Sequence, residues 1–164
     1  MAVLAVGIMT LLFSLDMLLK QHVEENLDSV EEKELVKGKI VIRKVYNRGF
    51  MLHALDKRPC LVKSVTAVMG AALAVWNVLL FAGKGRRVEK LGMAIFSAGA
   101  YSNIFDRLVR GKVIDYIGFR SKNDFLSRLT VNLADIFIVA GLILSGLGRL
   151  LPGAGSRSKG ARPL

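Results

Sequence analysis

Four apolar stretches, each long enough to cross a lipid bilayer, constrain this chain more than any other feature. They are residues 2–21 ("AVLAVGIMTLLFSLDMLLKQ"), 62–82 ("VKSVTAVMGAALAVWNVLLFA"), 90–108 ("KLGMAIFSAGAYSNIFDRL") and 131–151 ("VNLADIFIVAGLILSGLGRLL"). A helix needs about 20 mostly apolar residues to span the hydrocarbon core. Composition agrees: 52% of the 164 residues are hydrophobic, yet 24 Lys and Arg stand against 13 Asp and Glu. A small multispanning protein combines the two by keeping its charge in the loops. Nucleic-acid binding, the other reading of a net charge of +11, is discounted. The basic residues lie between apolar runs, and no aromatic-plus-basic strip or recognition motif is present. The first stretch lacks a basic leader and carries Asp16 and Lys20, so it reads as a retained helix and not a cleaved signal.

The expected fold is a membrane protein, mainly α, with four transmembrane helices and a small extracytoplasmic β-sheet. Residues 1–152 form one integral membrane domain. Residues 153–164, rich in Gly, Ser and Arg, form a basic, disordered tail. Short-loop Lys and Arg orient such a bundle. Lys84, Arg86, Arg87 and Lys90 fall between the second and third spans, and Arg157, Lys159 and Arg162 fall in the tail. Four spans put both groups on one side, which predicts cytoplasmic termini. The first loop opens with a charged, solvated segment, "EENLDSVEEKELVKGK". It then turns rich in Ile, Val and Tyr ("KIVIRKVYNRGFMLHAL"), as does "KVIDYIGF" at 112–119. Both read as strands, predicting an outer β region over about 38–56 and 112–130.

A charge inside a spanning helix costs about 2.5–3.5 kcal/mol on insertion scales, so each one needs a reason. Asp16 and Lys20 are four apart and can pair on one face. Gly99, Asn103, Asp106 and Arg107 share a face of the third helix. Asn132 and Asp135 open the fourth, and Asp115 follows the end of the third. Alternating span direction brings all of them to one depth, just beneath the outer surface. Asp16–Lys20 and Asp106–Arg107 read as structural pairs. Asp115 and Asp135 have no basic residue at pairing distance along the chain, and Lys112 would face the opposite side of a strand from Asp115. Two close carboxylates in an apolar setting cannot both ionise easily, so one is protonated while the other is charged. That arrangement suits an aspartic protease. On the residues alone, a proton or ion relay accounts for them equally well. Cys60 is the single cysteine, and His22 and His53 are isolated; none suggests a metal site.

"GAYSNIFDRLVRGKVIDYI" and "VNLADIFIVAG" resemble the G-x-x-x-N-x-x-D-R-x-x-x-G-x-V-x-D and N-x-A-D patterns of the lipoprotein signal peptidases (signal peptidase II), which are membrane aspartic proteases. "LDMLLK" is similar to their first-helix D-x-x-x-K, and "YNRGF" to the N-x-G of their outer strand. The resemblance covers roughly residues 13–142. It implies that Asp115 and Asp135 are the catalytic dyad, that Asn103, Arg107 and Asn132 hold substrate backbone or orient the carboxylates, and that Asp106 is a neighbouring motif acid. It implies that Asp16 and Lys20 brace the site and that Asn47 and Gly49 contact substrate. It further implies cleavage of the signal peptide from diacylglyceryl-modified prolipoproteins just before the lipidated cysteine, with no metal or cofactor; the expected partners are that lipidated substrate and membrane lipid, with the chain acting as a monomer. Three departures stand out: Gly49 is followed by "FMLHAL", Ser102 stands where Gly is usual, and Val131 replaces an aromatic. The rival is a non-catalytic membrane protein, such as a proton-coupled carrier subunit or a lipoprotein-binding relative. A carrier should spread its acids along a path through the bilayer, whereas here they gather at one end.

Overall fold

A computed structural model describes residues 1–28, 31–36, 38–50 and 55–150. His53 and the tail 153–164 lie outside the described residues. The elements run α1 (Ala2–Asn26), β1 (Glu32–Val36), β2 (Ile40–Asn47), α2 (Pro59–Ala82), α3 (Arg87–Phe105), a π-helical turn (Asp106–Arg110), β3 (Val113–Phe119), α4 (Asp124–Arg128), β4 (Thr130–Val131) and α5 (Leu133–Leu150). The architecture is mainly helical, with one small sheet.

Among the described residues, three helices, α1, α2 and α5, are long and apolar enough to cross a membrane. α3, the third expected span, has the length but not the hydropathy. The reason is its position. It packs against α1, α2 and α5, and it buries Gly92, Ala94, Ser97, Ala98, Gly99, Ser102 and Asn103 against them. A helix surrounded by protein needs small residues, and those score low on hydropathy. At Gly99 an added Cβ would overlap the Ala134 carbonyl, and at Gly141 it would overlap the backbone of Phe96. Close approach of α3 and α5 thus depends on these glycines. It brings Asn103, one turn beyond Gly99, to the start of α5.

α1 is longer than expected, running past residue 21 to Asn26. The buried stripe of Asp16, Lys20, Val23 and Leu27 continues down one face at helical spacing, and Val23 and Leu27 pack with Ile114 and Tyr116 of β3. The charged first-loop segment contributes a strand, β1, that its composition hid. Glu32, Lys33 and Glu34 remain exposed, so the segment is solvated as expected while its backbone pairs with β2. The sheet is antiparallel in the order β1-β2-β3-β4. β3 is central, and Val113 to Tyr116 are all buried, because both of its faces are covered. Ile114 and Tyr116 meet the end of α1, while Val113 and Asp115 line a cavity on the other side, as the two-residue period of a strand requires.

Among the basic residues used to orient the chain, Lys90 is buried and donates to the carbonyls of Phe81 (3.3 Å) and Gly83. It satisfies the last carbonyls of α2.

Candidate active site

The site forms where α3, β2, β3 and the start of α5 meet, around a cavity of about 360 Å³. Asp115, Asp135, Asn47, Asn103, Arg107 and Asn132 all line it, together with apolar Val45, Val113, Ile138 and Val139. Asp16, Lys20 and Asp106 lie behind it, each fully buried.

Asn132 is not a residue of the last helix, as its spacing from Asp135 implied, but the residue before it. Its side-chain Oδ1 accepts from the Asp135 backbone N–H (2.9 Å), and Asp135 Oδ2 accepts from the Asn132 backbone N–H (3.0 Å). This reciprocal pair is a capping box that satisfies two backbone donors at the helix start. It also locks the Asp135 carboxylate at the cavity wall. Asn132 Nδ2 donates to Asp115 Oδ1 at 2.7 Å, so one residue holds both carboxylates, Asp115 by its side chain and Asp135 by its backbone N–H. Asn47 Nδ2 donates to the other oxygen, Asp115 Oδ2, at 3.3 Å. Asn103 Nδ2 donates to Asp135 Oδ1 at 2.9 Å.

The polarity of the Asn103 amide follows from Lys20. Its ammonium can only donate, and Nζ lies 2.9 Å from Asn103 Oδ1. Asn103 must therefore present its oxygen to Lys20 and its nitrogen to Asp135. Lys20 also pairs with Asp16 Oδ2 and Asp106 Oδ2, both at 2.8 Å, and donates to Ser102 Oγ at 3.1 Å. Asp16 ties three elements together: it accepts from Ser102 Oγ (2.5 Å), Tyr116 Oη (3.3 Å) and the Ala134 backbone N–H (3.0 Å).

Asp106 and Arg107 do not pair with each other. Adjacent helical residues point in different directions, and Asp106 turns to Lys20 and to Arg110 at 3.3 Å. Arg107 faces the cavity instead. Its Nε donates to the Gly49 carbonyl (2.9 Å), its Nη1 to the Asn103 carbonyl (3.3 Å), and its guanidinium sits 5.2 Å from the Phe50 ring centroid. The role expected for Arg107, donating to a carbonyl, is filled in this structure by one from its own chain. Gly49 in turn donates its N–H to Asn47 Oδ1 at 3.0 Å, so Asn47, Gly49 and Arg107 form one connected rim.

Asp115 is 6% exposed. Burial pushes its carboxyl up to about 6, with the Asp135 charge adding to the rise; the hydrogen bonds from Asn47 and Asn132 and the charge of Lys20 oppose it. Lys112 is turned away from Asp115, pairing with Glu24 at 3.1 Å and lying 3.5 Å from the Tyr46 ring centroid. Cys60 and His22 are exposed, and His22 lies next to Asn26.

Sequence reasoning missed Tyr116 as a member of the Asp16 cluster and treated Ser102 only as a departure. Both contacts span more than eighty residues, and no local spacing signals them. The i, i+3 spacing of Asn132 and Asp135 was the available sign of a capping box.

A family model described as Signal peptidase (SPase) II matches residues 8–150. Lipoprotein signal peptidases similar to this chain include that of Solibacter usitatus (strain Ellin6076), 28% identical over 90% of this chain and 91% of the relative. That of Mesorhizobium japonicum is 34% identical over 80% of this chain and 76% of the relative. Two solved structures, each described as a bacterial membrane enzyme, share the fold. One has a TM-score of 0.75 and 20% identity over 96% of this chain and 94% of that one. The other has a TM-score of 0.72 and 19% identity over 89% and 92%. With the family model covering nearly the whole described chain, the conclusion is direct: this chain belongs to the signal peptidase II family.

Proposed function

We propose that this lipoprotein signal peptidase is an aspartic endopeptidase that cuts diacylglyceryl-modified prolipoproteins just before the lipidated cysteine, with Asp115 and Asp135 as its dyad. The observation that carries the reading is the shared amide clamp. Asn132 and Asn103 hold the two carboxylates on one cavity wall, with each carboxylate oxygen engaged by a donor. Asp115, whose proton is retained up to about pH 6, acts as the acid toward the scissile carbonyl and leaving amine. Asp135 remains as the charged base that takes a proton from water. A carrier has no evident use for two acids fixed against each other at the end of the bundle.

The same proposal includes a membrane setting. α3 serves as a fourth span between α1, α2 and α5, and residues 1–152 form one membrane domain. Both termini are cytoplasmic, and the sheet and dyad lie at the outer face. The signal helix enters laterally from the lipid. Its acyl chains stay among the apolar helices, contributing about 0.8 kcal/mol per buried CH₂, while the peptide bond sits at the rim between Asp115 and Asp135. Asn47, Gly49 and Arg107 contact substrate backbone. The enzyme works as a monomer without a metal.

The test is cleavage of a lipidated precursor by the purified protein in detergent, followed by product mass. With Asp115 as the acid, kcat/KM falls as pH rises through about 6. The limb belongs to the coupled pair and not to one residue. The Asn47 bond favours the charged form, so Asn47→Ala moves that limb to higher pH. A shift to lower pH in this variant would contradict the assignment of the proton to Asp115.

A further inference from the structure

Two guanidiniums line the cavity, and only one of them is occupied. Arg107 is bonded to Gly49 and Asn103. Arg128, at the end of α4, also lines the cavity but makes no hydrogen bond or ion pair among the described residues. Asp124 lies four residues earlier on the same short helix and does not pair with it. Arg128 is exposed, yet its backbone is not loose. Arg43 Nη2 donates to the carbonyls on either side of it, Ser127 (2.9 Å) and Leu129 (3.1 Å), and Arg43 Nε donates to Thr130 Oγ1 (2.9 Å). Two sheet features support that brace. The register of β2 against β3 shifts between Ile42 and Val45, the stretch that carries Arg43. Gly118 leaves the room the guanidinium needs, since a Cβ there would lie 2.7 Å from Arg43 Nε. Arg43's own charge is balanced by Glu32 at 3.6 Å. Arg128 thus extends an exposed guanidinium from a braced stretch of backbone at the cavity rim, with no anion beside it among the described residues.

We propose that Arg128 is a specificity-determining residue that pairs with a carboxylate side chain of the substrate, one or two residues past the lipidated cysteine. The proposal rests on the peptidase reading. The direction along the substrate comes from the cavity walls. Ile138 and Val139 of α5 form its apolar side, suited to the lipid and the signal helix. Arg128 and Thr130 form its polar side, on the exposed α4–β4 segment, where the mature polypeptide would leave toward water. A phospholipid headgroup is the less fitting anion, because Arg128 shares a cavity with Asp115 and Asp135 and so meets what they meet.

The experiment uses the full-length enzyme in detergent at neutral pH. Three lipidated precursors carry Asp, Asn or Lys at the second position after the modified cysteine. Within each enzyme, kcat/KM is compared between precursors, so partial loss of folded protein cancels. The wild type favours Asp over Lys by about two- to fivefold, the range of a solvent-accessible ion pair, and added salt flattens the preference. Arg128→Gln brings the ratio to about one, and Arg128→Glu inverts it. If Arg128→Glu fails to fold, Arg128→Gln carries the test. An unchanged ratio in the variants, or a wild type that cleaves all three equally, overturns the proposal and leaves the peptidase reading standing. A wild type that cleaves none of the three overturns both.

Discussion

Asp115→Asn and Asp135→Asn each lower cleavage of a lipidated precursor by roughly 10²- to 10⁴-fold, the contribution of a positioned general acid or base, while the protein still inserts and purifies. Asn keeps the shape of Asp but can neither accept the proton from water nor supply one to the leaving amine. The local cost is small. In either variant the new amide faces two donors, and only one can meet its oxygen. At Asp115 those donors are the Asn132 and Asn47 amides; at Asp135 they are the Asn103 amide and the Asn132 backbone N–H. One mismatched hydrogen bond costs about 1–3 kcal/mol, which disturbs the clamp without unfolding the bundle. Product mass and detergent gel filtration read the two quantities separately. Cleavage at the wild-type rate by either variant ends the assignment of a dyad.

How much of this was legible in the sequence depends on whether the physics was local. Charges in apolar helices are expensive wherever they sit, so Asp16, Lys20, Asn103, Asp106, Asp115 and Asp135 stood out, and span direction alone put them at one depth. The strand at 113–119 showed its composition openly. What stayed hidden was set by distant partners. Asp106 reads as matched to Arg107 by adjacency, yet helical geometry sends it to Lys20. β1 reads as a solvated charged run because its side chains are solvated, and only its backbone pairs. The low hydropathy of α3 weakened it as a span on paper, whereas in the bundle the same small residues admit α5 to contact distance. Arg43's support of the α4–β4 rim crosses more than eighty residues and leaves no periodic trace.

Lys20→Met is expected to have the largest effect on stability. Lys20 Nζ is fully buried between the carboxylates of Asp16 and Asp106, and removing one partner of a buried ion cluster costs about 3–5 kcal/mol, because uncompensated charge remains. Arg110, at 3.3 Å from Asp106, offsets part of this, while Asp16 keeps only neutral donors. Folded protein recovered in detergent, and its melting temperature, should therefore drop sharply. The triple variant Asp16→Asn, Lys20→Met, Asp106→Asn removes the charges together. The amide that replaces the Asp16 carboxylate can still offer an oxygen to the Ala134 N–H and Tyr116 hydroxyl that Asp16 Oδ1 now serves, so most of the lost stability should return. Activity should not return with it. Without the ammonium, Asn103 Oδ1 keeps only the longer bond from Asn132 Nδ2 (3.3 Å), so the Asn103 nitrogen is held toward Asp135 less firmly. A charge-assisted hydrogen bond is worth about 1.5–3 kcal/mol, so kcat should stay roughly 10- to 100-fold low, with KM little changed. A triple variant as unstable as Lys20→Met would mean that packing and not charge holds the cluster. One with full kcat would mean that Asn103 finds its orientation without Lys20, leaving the ammonium a structural role alone.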